Sequence, residues 1–190
     1  MSTTNASIVL SNIPGFSQTL VSEAGAGAGT ESKFIKTKQC RFNDNDYKIV
    51  SYVKSLLNTE DLVSTYGPLR SVIVNAENRV IGLSPPKSTP YWSFISENQS
   101  FFDAERKQII VAEEFVEGVM INVFWDPCAQ SFVIATKNVV GAETSFYVTD
   151  EKTTFAQMFH EAAAHARLDI QMLNREHSYS FVLQHPKNIL

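Results

Sequence analysis

The strongest concentration of positive charge in the chain is the segment KFIKTKQCR. Lys33, Lys36, Lys38 and Arg41 occur there within nine residues, and no acidic residue interrupts them. Side chains of this type can contact the phosphate backbone of a nucleic acid. The same run also fits the solvated face of a β-strand, so a phosphate contact and a plain surface strand both remain open interpretations.

Histidine and glutamate side chains occur together near the C-terminus, at His160, Glu161 and His165. Residues five apart on a helix diverge by about 140°, so the two imidazoles are not expected to share a metal ion. Glu161 and His165 are four residues apart and could pair on a solvated helix face, which needs no function. Cys40 and Cys128 form neither a CxxC motif nor a disulfide framework. We therefore expect no metal site and no disulfide-linked partner.

The overall composition limits the classes of function. The chain has 190 residues, of which 44% are hydrophobic and 19% are charged, which is ordinary for a globular domain. The 16 Lys and Arg against 20 Asp and Glu leave a net charge of -4. There is no global basic field, so any nucleic-acid site must be local. Neither a signal peptide nor a transmembrane run is apparent, and we expect a cytoplasmic protein with no membrane partner.

The first thirty residues differ in composition from the rest of the chain. They are rich in Ser, Thr, Ala and Gly and end in the run AGAGAG at 24–29. Such a composition buries little surface, and we expect a flexible N-terminal tail over 1–30. Residues 31–190 are then predicted to form one domain.

The part of the predicted domain before residue 95 contains a helix, a hairpin and a loop. The cluster at 43–46 is predicted to cap a helix running to about Asn58, because Val50, Val53 and Leu57 recur at helical spacing. The runs RSVIVN and RVIGLS, separated by a turn at 76–78, predict a β-hairpin. The proline-rich segment 84–94 is expected to be a loop folded against the core.

The second half of the chain is predicted to contain mainly strands. Apolar runs indicate strands at 108–113, 115–125, 132–137 and 144–149, and a last one in YSFVLQH. A helix is predicted to begin at Thr154, which forms a capping box with Gln157, and to continue to about Leu173. This order of elements predicts an α+β fold, an antiparallel sheet with a few packed helices.

Several short motifs in this region occur in a recognisable order. The hairpin, the PPK loop, the FVEG and ATK strands and the terminal YSFVLQHPKN together resemble the ordered motifs of bacteriophage-type ATP-dependent RNA ligases, which belong to the nucleotidyltransferase superfamily. The resemblance covers roughly residues 66–190 and implies the N-terminal part of an ATP-grasp-like ligase adenylation domain, incomplete at its C-terminus. The counterparts of the family motifs are Arg70-Ser71, Lys87, Phe115-Val116-Glu117-Gly118, Thr136-Lys137 and 186–190.

The resemblance implies adenylyl transfer. In this family a lysine attacks the α-phosphate of ATP in the presence of Mg²⁺, carries the AMP and passes it to the 5′-phosphate of an RNA end. ATP, Mg²⁺ and RNA ends are therefore the implied cofactors and partners. Arg70, Lys87 and Lys137 would contact phosphates, Glu117 would face a ribose or a metal-bound water, and Gly118 would allow close approach of the backbone.

Phe115 occupies the position at which the family places its nucleophilic lysine. A phenyl ring cannot attack phosphorus, so adenylyl transfer would require Lys87 or Lys137 as the nucleophile. The alternative is a noncatalytic module that binds a nucleotide or an RNA end, with Phe115 stacking on a base. A structural interaction protein on the same α+β scaffold is a further alternative.

Overall fold

The computed structural model describes residues 10–21, 33–99, 113–145 and 153–188. These ranges contain helices and antiparallel strands, so the predicted α+β fold is confirmed, although the strands form two sheets instead of one. In chain order the elements are α1 (Phe16–Val21), β1 (Ile35–Phe42), β2 (Asn45–Tyr52), α2 (Thr59–Ser64), β3 (Val72–Asn75), β4 (Val80–Leu83), α3 (Tyr91–Glu97), β5 (Val119–Asp126), β6 (Ser131–Ala135), α4 (Phe155–His165) and β7 (Tyr179–Leu183).

The segment predicted to be a helix up to Asn58 is instead the second strand of a hairpin. Asn43 and Asp44 both have positive φ, 47° and 62°, which a two-residue type I′ turn requires and which Asn and Asp tolerate. β1 and β2 pair around this turn without a break. The strand β2 is buried on both faces, so its apolar residues lack the alternation that would have indicated a strand.

Four strands form the first sheet, sheet A, in the order β1-β2-β3-β4. One face of this sheet packs against residues from the N-terminal segment and α2. Leu10, Ile13 and Phe16 are buried in that core, so residues 10–21 are not part of a flexible tail. The AGAGAG run at 24–29 lies outside the described residues.

The β3–β4 hairpin was predicted correctly. Val72–Asn75 and Val80–Leu83 pair across a turn in which Asn78 adopts a positive φ of 59°. The proline-rich segment that follows is only partly the expected loop, because α3 begins at Tyr91. Pro90 precedes the first turn of α3, a position where its fixed φ is compatible with helix initiation.

Three strands form the second sheet, sheet B, in the order β6-β5-β7. β5 is antiparallel to both neighbours, with Asn122 opposite Ala135 of β6 and Val119 opposite Leu183 of β7. The strand predicted at 115–125 begins only at Val119, and the one predicted at 132–137 ends at Ala135. Most of the strands predicted at 108–113 and 144–149 lies outside the described residues.

The two sheets pack face to face through a shared core. Tyr47, Ile49 and Ile73 of sheet A contact Phe124, Val133, Ala135 and Val140 of the sheet B region. At one end of this core the hydroxyl of Tyr47 donates to Asp126 Oδ2 at 2.8 Å. Burial and the neighbouring carboxylate both raise the pKa of Tyr47 above its usual range, so its hydroxyl remains a donor.

A buried asparagine connects the two sheets near their middle. Asn122 Nδ2 donates to Ser84 Oγ at 2.8 Å, and Ser180 Oγ donates to Asn122 Oδ1 at 2.7 Å. The amide is therefore satisfied on both sides, as a buried polar group must be. This bridge fixes the end of β4 relative to β5 and β7.

The helix α4 covers the outer face of sheet B, where Phe155, Met158 and Phe159 are buried. It starts with the predicted capping box between Thr154 and Gln157. It ends at His165, well before the predicted Leu173, because the chain turns at Arg167, where φ is 55°.

The end of α4 follows a common helix-terminating pattern with an uncommon residue. The amide of Leu168 donates to Ala163 O, and that of Arg167 donates to Ala164 O, which is a Schellman motif. Glycine usually occupies the left-handed position, and here it is Arg167. The sequence therefore lacked the usual sign that the helix ends there.

The capping box offers a local test of the fold. We expect Thr154→Ala to lower the free energy of unfolding by about 1 kcal/mol, because the amide of Gln157 loses its acceptor at 3.2 Å. Urea unfolding followed by circular dichroism measures this difference. Thr154→Ser keeps the acceptor and should be close to the parent protein; equal losses in both variants would contradict the capping role.

None of the described helices has both the length and the apolar character needed to cross a lipid bilayer. Cys40 and Cys128 are both free thiols.

Candidate functional site

The topology of sheet B brings three motif-bearing segments to one end. Because β5 is antiparallel to β6 and β7, the start of β5 lies beside the ends of both neighbours. Glu117 and Gly118 precede β5, Lys137 follows β6, and Gln184 follows β7. The side chain of Gln184 donates from Nε2 to Glu117 O at 3.0 Å, which joins two of these segments directly.

Positive side chains converge on Lys137 at this end. The charges of Arg70, Lys36 and Lys54 all act on its ammonium group, although the four residues come from β1, two 3-10 turns and the segment after β6. We call Lys36, Lys54, Arg70 and Lys137 the basic cluster. None of its members forms an ion pair with a carboxylate in the part of the chain that the structure describes.

Lys137 is the electrostatic centre of the basic cluster. Partial burial lowers its pKa most, and the neighbouring charges of Arg70, Lys36 and Lys54 lower it further. Its Nζ lies 5.8 Å from the centroid of the Tyr52 ring, within the range of a cation–π contact. The ring attracts the cation but does not neutralise its charge.

Ser71 holds the backbone of Lys137 in place. Its Oγ donates to Lys137 O at 2.9 Å, and its own carbonyl accepts from the amide of Ser84 at 2.9 Å. Since Ser71 directly follows Arg70, one buried residue fixes the two chain segments that carry these two cations. A second hydrogen bond holds the same loop, because Lys38 Nζ of β1 donates to Asn138 O at 3.0 Å.

Lys87 lies near this site but is not part of the basic cluster. Its amide donates to Gly67 O at 3.1 Å, at the start of the 3-10 turn Gly67–Arg70. Its ammonium group lies 3.4 Å from the hydroxyl of the next residue, Ser88. The loop therefore places Lys87 beside the turn that ends in Arg70.

Phe115, Glu117 and Gly118 form the approach to β5. The Phe115 ring is 92% exposed and the Glu117 side chain is also exposed. Gly118 approaches β7 closely: a Cβ at this position would lie 2.5 Å from Leu183 O. A glycine is therefore needed there for packing between strands, which differs from the implied approach to a ligand.

The same strand ends line a cavity of about 410 Å³. Its walls include Glu117, Gly118, Leu183, Gln184, His185, Pro186 and Asn188. This cavity adjoins the segment that carries Phe115.

His185, which lines this cavity, pairs with Glu161. Its Nε2 lies 3.0 Å from Glu161 Oε2, and its Nδ1 accepts from the amide of Lys187 at 3.2 Å. The pairing with His165 that the spacing allowed is not the one observed, because the C-terminal segment folds back onto α4 and brings His185 to Glu161. Both ring nitrogens of His185 are engaged, so this pair fixes the segment after β7.

Sequence reasoning identified Arg70 and Lys137 but missed two residues that contribute to the basic cluster and its surroundings. Tyr52 and Lys54 were placed in a helix that does not exist, and Lys36 was left with two open interpretations. The available signal was the acid-free basic run, which indicated a local positive surface. This run did not indicate which other segments of the chain lie beside it in the folded structure.

The described residues do not provide a metal site. No group of three or more His, Cys, Asp or Glu side chains is arranged to hold an ion within those ranges. The basic cluster itself repels a divalent cation.

No family model matches the chain, and neither a curated protein nor a solved structure is significantly similar to it.

The lowered pKa of Lys137 predicts a measurable reactivity. At pH of about 8 a larger fraction of this amine is unprotonated than for an ordinary lysine, so limiting acetic anhydride should modify it early. Peptide mapping by mass spectrometry gives the order of labelling. Lys187, whose ammonium lies 3.7 Å from Glu161 Oε1, is the internal reference. Faster labelling of Lys187 would contradict the electrostatic environment assigned to Lys137.

Proposed function

We propose that this domain binds the phosphate groups of a nucleotide, or of a 5′-phosphorylated RNA end, at the basic cluster. The supporting observation is the convergence of four cations without a paired carboxylate among the described residues. Like charges repel, so the protein pays an electrostatic penalty for holding them together. A bound phosphate would offset this repulsion and form charge-assisted hydrogen bonds.

The exposed ring of Phe115 supports a nucleotide over an inorganic anion. It lies in the segment before β5, at the same end of sheet B as Lys137. A base stacked on an aromatic ring is stabilised by about 1–3 kcal/mol. In the family that the motifs resemble, this position holds the nucleophile, whereas a phenyl ring can only bind.

Adenylyl transfer to Lys137 is the second candidate function, favoured by its lowered pKa. In this reaction the unprotonated Nζ attacks the α-phosphorus of ATP and forms a P–N bond. The bond from that phosphorus to the bridging oxygen breaks, pyrophosphate leaves with the electron pair, and the amine releases its proton. A lysine with a lowered pKa carries the free amine that this attack requires.

Incubation of the protein with ATP, with and without Mg²⁺, distinguishes these functions. Thermal unfolding and intact-mass spectrometry are measured on the same samples. A higher melting temperature with unchanged mass supports the binding module. A mass gain of one AMP that maps to Lys137 and is absent in Lys137→Arg supports transfer. No change in either readout contradicts both and leaves the structural interaction protein.

A further inference from the structure

We propose that Tyr91 and Trp92 form a second base-stacking surface, which binds single-stranded RNA continuing from the 5′-phosphate held at the basic cluster. This inference rests on the proposed function and extends the site from the terminal phosphate to the nucleotides that follow it. Neither residue belongs to the ligase-like motifs.

The two rings are among the most exposed large apolar side chains that the structure describes. Trp92 is 78% exposed and Tyr91 is 64% exposed, and no residue of α3 is buried. No side chain of α3 joins any of the three described core clusters. These aromatic residues therefore contribute little to the described core, although exposing them to water is unfavourable.

The geometry of the pair suits planar ligands. The ring centroids are 5.0 Å apart and the planes meet at 71°, an edge-to-face contact. Such an arrangement fixes both rings relative to each other while leaving ring faces open to solvent. A nucleobase can stack on an open aromatic face whatever its sequence.

A short stretch of chain connects Tyr91 and Trp92 to the turn that carries Arg70 of the basic cluster. Lys87 is five residues before Trp92, and its amide is bonded to Gly67 at the start of the turn ending in Arg70. From the reach of an extended chain, Trp92 lies at most roughly 30 Å from Arg70. Lys87 lies between the two in the sequence, and its positive charge could contact the RNA backbone. This sequence of cations followed by aromatic rings favours nucleic acid over an apolar protein partner.

Titration with 5′-phosphorylated oligoadenylates of two and ten nucleotides tests the proposal. Tryptophan fluorescence is followed, and affinity is measured separately for ATP. The ten-nucleotide RNA should bind more tightly than the dinucleotide and should quench the emission of Trp92. Trp92→Leu should lower the affinity for the long RNA about 5- to 150-fold and leave that for ATP unchanged.

Three further variants separate stacking from a general surface effect. Trp92→Phe keeps an aromatic face, so it should retain most of the affinity while losing the quenching. Met172→Ala removes another exposed apolar side chain, 83% exposed and outside α3, and should change nothing. Because Trp92 is exposed, the substitutions should leave the melting temperature unchanged, and Tyr91→Leu provides a second variant with the same expectation.

The outcomes distinguish this inference from the proposed function. If ATP binds but Trp92→Leu leaves the affinity for both RNAs unchanged, the second surface is wrong and the phosphate site stands. If ATP and both RNAs fail to bind, both proposals are wrong. Long-RNA binding without quenching of Trp92 also overturns the inference and would leave the aromatic pair available to a protein partner.

Discussion

Replacing Lys137 by Met is expected to lower the affinity for ATP about 10- to 150-fold. The side chain is central to the basic cluster, and a charge-assisted hydrogen bond to phosphate contributes about 1.5–3 kcal/mol. Isothermal titration calorimetry at fixed ionic strength measures the change. Removing one of several like charges relieves repulsion, so the variant should be folded at least as stably as the parent, and the loss should be one of binding alone.

The control for this prediction is Arg79→Met. It changes the net charge equally but lies at the opposite end of β3 from Arg70, where Arg79 pairs with Glu77 at 3.6 Å. ATP affinity should be unaffected by this control. Equal losses in both variants would mean that total charge, and not the basic cluster, determines binding. Lys137→Arg should bind ATP even if a covalent product is no longer formed, because the guanidinium retains the charge.

Replacing Phe124 by Ala is expected to lower the free energy of unfolding by about 3–5 kcal/mol. The ring is fully buried between the sheets, and a Cβ at Gly82 would lie only 2.6 Å from it. Its removal leaves a cavity where β4 and β5 meet. Urea unfolding measures the difference. The loss should be the largest of the stability effects predicted for this protein.

The matched control is Phe115→Ala, the same chemical change at an exposed site. Its effect on unfolding should stay within about 0.5 kcal/mol, because little surface is uncovered there. The two substitutions then separate stability from binding: we expect Phe124→Ala to change stability, whereas the proposed function expects Phe115→Ala to weaken nucleotide binding. Comparable destabilisation by both substitutions would show that the segment before β5 is packed in solution, contrary to its 92% exposure.

The resemblance to RNA ligases stays a prediction for this chain. Arg70 and Lys137, which the resemblance relates to phosphate contacts, do share one cluster. Lys87 stands beside it, and Glu117 lies at the same end of sheet B. These positions are compatible with a nucleotide site of the kind proposed above, and the AMP mass test decides whether it transfers or only binds.

Elements with complete local signals were predictable from the sequence. The β3–β4 hairpin has alternating strands around a polar turn, and the start of α4 has both partners of its capping box. Elements with ambiguous local signals could not be predicted from the sequence, and β2 is the example. β2 is apolar on both faces because it lies between a helical layer and sheet B, and a strand of that kind resembles a helix in sequence.

The sequence by itself determined the α+β class, the local character of any positive surface, and the presence of Arg70 and Lys137 as candidate phosphate contacts. Only the tertiary structure decided that Lys36 and Lys54 join them, that Tyr52 lies beneath Lys137, and that Glu161 pairs with His185. The physical reason is the separation along the chain. Local propensity is set by neighbours a few residues away, whereas a charge cluster arises from segments that meet only when two sheets pack together.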